Sequence, residues 1–193
     1  MKKISKNKLL LFLIFITIIS ILLGIFFIAV ISNDNQDLVK STINSYFLDI
    51  NENKIQYLKN LWSILTSNLF LILFIWIMGI SIIGIIISLI LLIYKSFLIG
   101  FSFTSILYTY GFKGVISGII YIFPEIINLF IVFILTYYSI SFSILLFNYL
   151  FKKKEYNRIF VRRYLKLLVI SSLIIIFSTL ISTFIIPNLL RII

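Results

Sequence analysis

The stretch that decides the architecture runs from Lys95 to Phe151: KSFLIGFSFTSILYTYGFKGVISGIIYIFPEIINLFIVFILTYYSISFSILLFNYLF. It is almost wholly apolar, yet it is punctuated. Gly100, Gly111, Gly114 and Gly118 loosen it, Lys113 and Glu125 place charge inside it, and Pro124 interrupts it. A plain membrane anchor needs none of these. Transmembrane helices tolerate Gly and Pro where neighbouring helices re-satisfy the freed backbone groups, and small residues let helices approach closely. The stretch is therefore expected to pack against the rest of the chain as its organising core.

Composition sets the solvent. The chain has 193 residues, 62% hydrophobic and only 12% charged, with a mean hydropathy of +1.19. A soluble domain is nearer ~45–50% apolar and ~25% charged. Several apolar runs of about 18 residues or more predict an all-α polytopic membrane protein. The net charge of +11 comes from 17 basic and 6 acidic residues. These bases cluster beside apolar runs, which is the pattern of topology signals and of contact with anionic membrane lipid, and no nucleic-acid partner is expected. There are no cysteines and no histidines. That excludes disulfides, Cys or His metal sites, Cys nucleophiles and His-based triads. No phosphate-binding G-x-x-x-x-G-K-[ST] loop is present. The chain reads as a non-enzyme without catalytic residues, cofactor or metal.

The sequence predicts a single integral membrane domain. Lys2, Lys3, Lys6 and Lys8 precede an apolar run over 9–31, longer than the ~7–15 residues of a signal-peptide core. It reads as an uncleaved anchor with the N-terminus in the cytoplasm. Residues 32–60 form the longest polar stretch, an extracytoplasmic loop. Val39, Ile43, Tyr46, Phe47 and Ile50 recur in it at helical spacing, with a break at 51–53. This is either a surface-lying connecting helix or a face for an extracytoplasmic partner. Spans follow at about 68–94, with Lys95 ending it on the inside, and at 96–112, leaving Lys113 outside. Residues 114–123 are too short to cross, and Pro124 disfavours helix at Phe123. They are expected to form a broken half-helix, interfacial or re-entrant, before the fourth span at 126–150. Drawing one long helix over 96–123 would bury Lys113 at ~2.5–3.5 kcal/mol and ranks second. A basic cytoplasmic loop at 151–166 carries Lys152, Lys153, Lys154, Arg158, Arg162, Arg163 and Lys166 against Glu155 alone. Arg158, Arg162 and Lys166 share one helix face, suited to anionic lipid or a cytoplasmic partner. The fifth span, 167–186, is ended by Pro187 and leaves the C-terminus outside.

Glu125 is the only acid within an apolar stretch, and an intramembrane ionisable residue is a functional-site hypothesis by default. Standing after Pro124 at the start of a helix, it also fits a cap at the positive end of the helix dipole, paired with Lys113. Asn128 follows one turn later.

The segments KSFLIGFSF from Lys95, YGFKG from Tyr110, IFPEIINL from Ile122 and IMGISIIG from Ile77 resemble the stage II sporulation protein M family, from the engulfment machinery of endospore-forming bacteria. The resemblance covers about 61–146. Its pattern after the proline is amide-rich, P-Q-N-L, where this chain has Pro124-Glu125-Ile126-Ile127-Asn128. The resemblance implies a cell-membrane scaffold that recruits or holds the peptidoglycan-degrading stage II sporulation proteins D and P at the septum. The alternative from another class is a permease subunit of a transporter coupled to a cytoplasmic ATPase through the basic loop.

Overall fold

The computed structural model describes residues 6–81, 83–152 and 158–192. Among these there is no strand. The helices are α1 (Lys6–Val30), α2 (Asn33–Asn51), α3 (Tyr57–Met78), α4 (Gly84–Tyr110), α5 (Gly114–Lys152), α6 (Arg158–Leu180) and α7 (Ile186–Ile192). A 3-10 turn at Gly111–Lys113 joins α4 to α5, and a π-helical segment at Ile181–Ile185 joins α6 to α7.

Four stretches are long and apolar enough to cross a membrane: Asn7–Val30, Tyr57–Met78, Gly84–Phe151 and Phe160–Ile192. The sequence count was five. The difference lies in the third stretch, which is 68 residues long and contains both α4 and α5, folded back along each other.

α3, α4 and α5 make the centre, α1 packs along α4, and α6 closes against α3 and α5. The apolar core draws on all of them, through Leu13, Ile72, Ile75, Leu92, Ile99, Val132, Leu135 and Ile175. Gly24 and Gly100 set the α1–α4 approach. A Cβ on Gly24 would collide with the Phe97 carbonyl, and one on Gly100 with the Ile21 carbonyl. In lipid, where apolar burial drives little association, such backbone contact is what holds helices together.

α2 lies across one end of the bundle. Its residues at helical spacing do form a helix, and their apolar face turns neither to lipid nor to a partner but onto the bundle: Ile50 is fully buried with Ile186 and Leu190, and Tyr46 and Phe47 pack against that cluster. Rings of Phe47 and Tyr110 meet edge-on at 5.0 Å. Arg191 of α7 donates to the Ile50 carbonyl at 2.9 Å and to Asn53, clamping the α2 C-terminus to the end of the chain. The expected break after Asn51 is present, with Asn53 in the left-handed region at φ 56°.

Four boundaries differ from the sequence reading. The predicted spans 68–94 and 96–112 are replaced by α3 and α4, with the turn at 79–83 and Lys95 inside α4. Small residues explain the turn: Ser143 Oγ of α5 donates to the carbonyls of Gly79 (2.9 Å) and Ser81 (2.8 Å), capping groups a helix end leaves open. The broken half-helix at 114–123 does not exist, because α5 runs unbroken through Pro124. Proline removes one intrahelical bond and crowds the preceding turn, but the helix keeps its course where neighbours support it; Ser178 of α6 donates to the Pro124 carbonyl at 2.9 Å. The predicted loop 151–166 is helical from Arg158 onward. Pro187 lies within α7, and the last helical rod continues past 186 to Ile192.

Candidate functional site

Asn68 stands eleven residues into α3, Lys95 eleven into α4, and Glu125 eleven into α5. At 1.5 Å per residue each is about 16 Å from the start of its helix. Adjacent helices run antiparallel, so the three meet near mid-height. Lys95 shares the interior face of α4 with Ser88, Leu92 and Ile99, all buried. Its Nζ donates to Glu125 Oε2 at 2.6 Å and to Asn68 Oδ1 at 3.1 Å. The side chains of Lys95 and Glu125 are only 10% and 24% exposed.

This arrangement corrects the pairing read from sequence. Glu125 neither caps a helix nor meets Lys113, which sits exposed in the 3-10 turn. Its partner is Lys95, thirty residues back, a lysine the sequence had assigned to a membrane boundary. A lone charge at the bilayer centre costs about 2.5–3.5 kcal/mol on insertion scales. Paired, the two carry no net charge and tie three helices together. Proximity in the chain favoured Lys113; only the antiparallel register of α4 and α5 selects Lys95.

The other singled-out residues are distributed around this centre. Asn128, one turn beyond Glu125, is 1% exposed, and neither its Nδ2 nor its Oδ1 has a partner among the described residues. Gly111 takes φ 62°, a left-handed conformation that ends α4 and favours glycine there. Gly114 and Gly118 lie against Tyr110 and the Phe103 ring, and Gly100 against α1. Of the basic residues, Arg162, Arg163 and Lys166 are exposed on the first turns of α6, Lys152 and Arg158 are at helix ends, and Lys153 and Lys154 lie outside the described residues.

Serines in an apolar span imply interhelical hydrogen bonds, and Ser139 and Ser143 make them; what sequence reasoning missed is their partners and a cavity. A serine ladder closes the end of the bundle opposite α2: Ser88 and Ser139 hydroxyls are 2.8 Å apart, and Ser139 also reaches the Ile75 carbonyl. Beside it Tyr164, 1% exposed, donates to the Trp76 carbonyl at 2.8 Å and stacks on Trp76 and Phe142. The cavity, of about 350 Å³, lies beneath α2 and is lined by Leu38, Ile43, Tyr46, Phe101, Ser105 and Tyr121 among others. Burial, with Tyr121 adding a smaller effect, pushes the Tyr46 phenol well above its ordinary pKa. Among the described residues no cluster of acids could hold a metal ion.

A helical bundle with long apolar rods, a charge pair at mid-height and an amphipathic helix across one end defines a multi-pass membrane protein. The chain belongs to the Stage II sporulation protein M family, which it matches over residues 11–187. It is thus a sporulation-related membrane protein. No curated protein and no solved structure matches it.

Proposed function

We propose that the protein is an integral membrane scaffold, not an enzyme, that recruits or holds peptidoglycan-degrading proteins at the septum during engulfment. Family membership supports the sporulation setting, and stage II sporulation proteins D and P are the partners that the resemblance in the sequence implies. The observation that carries the reading is the clamped helix α2. A surface that must hold a partner needs a rigid base, and α2 is fastened by Ile50 in its core and by Arg191 at its end. Its outer face, with Asp34, Asp37, Ser41, Ser45 and Leu48 exposed, is left clear of the bundle. The N-terminus and the basic 152–166 region lie on the cytoplasmic side, following the positive-inside bias, and α2 and the C-terminus lie outside.

Co-purification from engulfing cells tests this. The wild-type chain is expected to bring down wall hydrolases. Charge reversal on the outer α2 face (Asp34→Lys with Asp37→Lys) should abolish capture while the protein stays in the membrane. Undiminished capture by the reversed face would overturn the assignment. The permease alternative draws its support from the buried Lys95–Glu125 pair, since intramembrane charges mark ion and substrate pathways in many transporters.

A further inference from the structure

One face of α5 is polar along the whole bundle. Tyr121, Glu125, Asn128, Thr136, Ser139 and Ser143 follow one another at helical spacing, with buried Val132 completing the row. The two halves of this stripe differ. In the half away from α2, every hydroxyl is spent: Ser139 on Ser88 and the Ile75 carbonyl, Ser143 on the Gly79 and Ser81 carbonyls. In the rest, partners run out. Asn128 Nδ2 and Oδ1 and the hydroxyls of Thr136, Thr179 and Thr183 are buried with no partner among the described residues.

An unpaired buried polar group costs about 1–3 kcal/mol. An asparagine amide offers two donors and an acceptor with two lone pairs, so Asn128 alone is a large unmet demand. In a lipid-solvated bundle, water within the protein is the usual remedy, each molecule making ~2–4 hydrogen bonds. Two backbone irregularities point to the same place. Pro124 in α5 leaves the carbonyl one turn earlier without its helical donor, and α6 carries the π-helical segment Ile181–Ile185, with Thr183 inside it. Such π-segments often mark functional sites, and irregular backbone at membrane depth belongs where it is buried in protein or lines a water-filled cavity. Ser178 holds these two helices together at the Pro124 carbonyl. The cavity beneath α2 lies on the way to these groups: Tyr121 in its lining stands one helical turn before Glu125.

We propose that the bundle centre is a water-binding site open to the α2 side only. Water enters through the cavity past Tyr121 and is bound by Asn128, Thr136 and Thr179. It solvates the Lys95–Glu125 pair, and it is stopped by the Ser88–Ser139 and Ser143 contacts. The pair thereby has access to the solution on one side of the membrane. This holds whether or not α2 binds a wall hydrolase.

The chain has no native cysteine, so single cysteines report access directly. Sealed vesicles or protoplasts carrying Asn128→Cys, Thr179→Cys or Ser139→Cys are treated with a small, membrane-impermeant, positively charged methanethiosulfonate. Cysteine at 128 and at 179 should be modified from the α2 side and not from the other, and at 139 from neither. Tyr121→Trp should cause loss of modification at 128 by filling the entrance. Thr179→Cys is close to isosteric, so it decides alone if Asn128→Cys fails to accumulate. The proposal is overturned if position 179 resists the reagent in folded protein yet reacts after denaturation. Modification from the opposite side would overturn it equally. Hydrolase capture is read separately and does not enter this outcome.

Discussion

Replacing Lys95 with methionine isolates what the buried pair contributes. Methionine fills most of the lysine volume, so the perturbation is the loss of one charge and two hydrogen bonds, to Glu125 and Asn68. The Glu125 carboxylate is then left unpaired at mid-height among α3, α4 and α5. Removing one partner of a buried pair costs about 3–5 kcal/mol, or about 2–3.5 decades in the folding equilibrium at ~1.4 kcal/mol per decade. Glu125→Met should cost a similar amount by stranding the ammonium group. The double variant Lys95→Met with Glu125→Met should recover the part owed to the stranded charge, because a well-packed apolar substitute for a buried pair is commonly neutral or better. What remains is the Asn68 carbonyl without its donor, about 1–3 kcal/mol. The assay is denaturing-detergent titration followed by tryptophan emission. Both tryptophans, Trp62 and Trp76, are on α3, and Trp76 stacks on Tyr164 at 5.5 Å, so emission reports separation of α3 from α6. Lys113→Met is the control and should change stability by less than about 0.5 kcal/mol, as an exposed site should. Additive single effects, or a Lys113 effect as large as that of Lys95, would refute the pairing.

Three further outcomes follow from the packing. Gly100→Leu should separate α1 from α4 and cost at least the ~1–3 kcal/mol of an overpacked core, because the obstruction is the Ile21 backbone and cannot rotate away; a crosslink between cysteines at 21 and 100 flanks would report the loss. Arg191→Ala should free the end of α2, removing charged hydrogen bonds worth ~1.5–3 kcal/mol, and raise protease cleavage at residues 52–56 without releasing the protein from the membrane. Tyr164→Phe should lower stability by about 1 kcal/mol, the worth of one net hydrogen bond to the Trp76 carbonyl, measured in the same detergent titration.

Much was legible in the chain before any coordinates. Apolar runs in lipid must satisfy their backbone internally, which leaves helix as the available answer for a chain of this composition. The helical period of Val39, Ile43, Tyr46, Phe47 and Ile50 foretold the helix α2 though not that its apolar face meets the bundle, and the break after Asn51 was foretold by the run of amides and charge there. Glu125 was visible as an anomaly because it is the only acid in an apolar run, although a helix cap accounted for it equally well, and Gly100, Gly114 and Gly118 were visible as packing positions.

What sequence could not supply was which neighbour each residue meets. Within an apolar run of 34 residues, Leu61 to Tyr94, nothing local distinguishes a turn at Gly79–Ile83 from one at Lys95. A lysine ends a span if it has only lipid beside it, and sits in the middle of one if a carboxylate waits across the helix interface. The energy that decides between these comes from Glu125 and Asn68, 30 and 27 positions away. Pro124 poses the same problem. Its effect on the chain depends on whether Ser178 and the helices around it can support a disturbed turn, and that is a property of the assembled bundle. Composition and periodicity, which act along the chain, were enough to determine a helical membrane protein. The register of α3, α4 and α5, and with it the charge pair, the unpartnered Asn128 and the cavity leading toward them, was decided only when the helices packed.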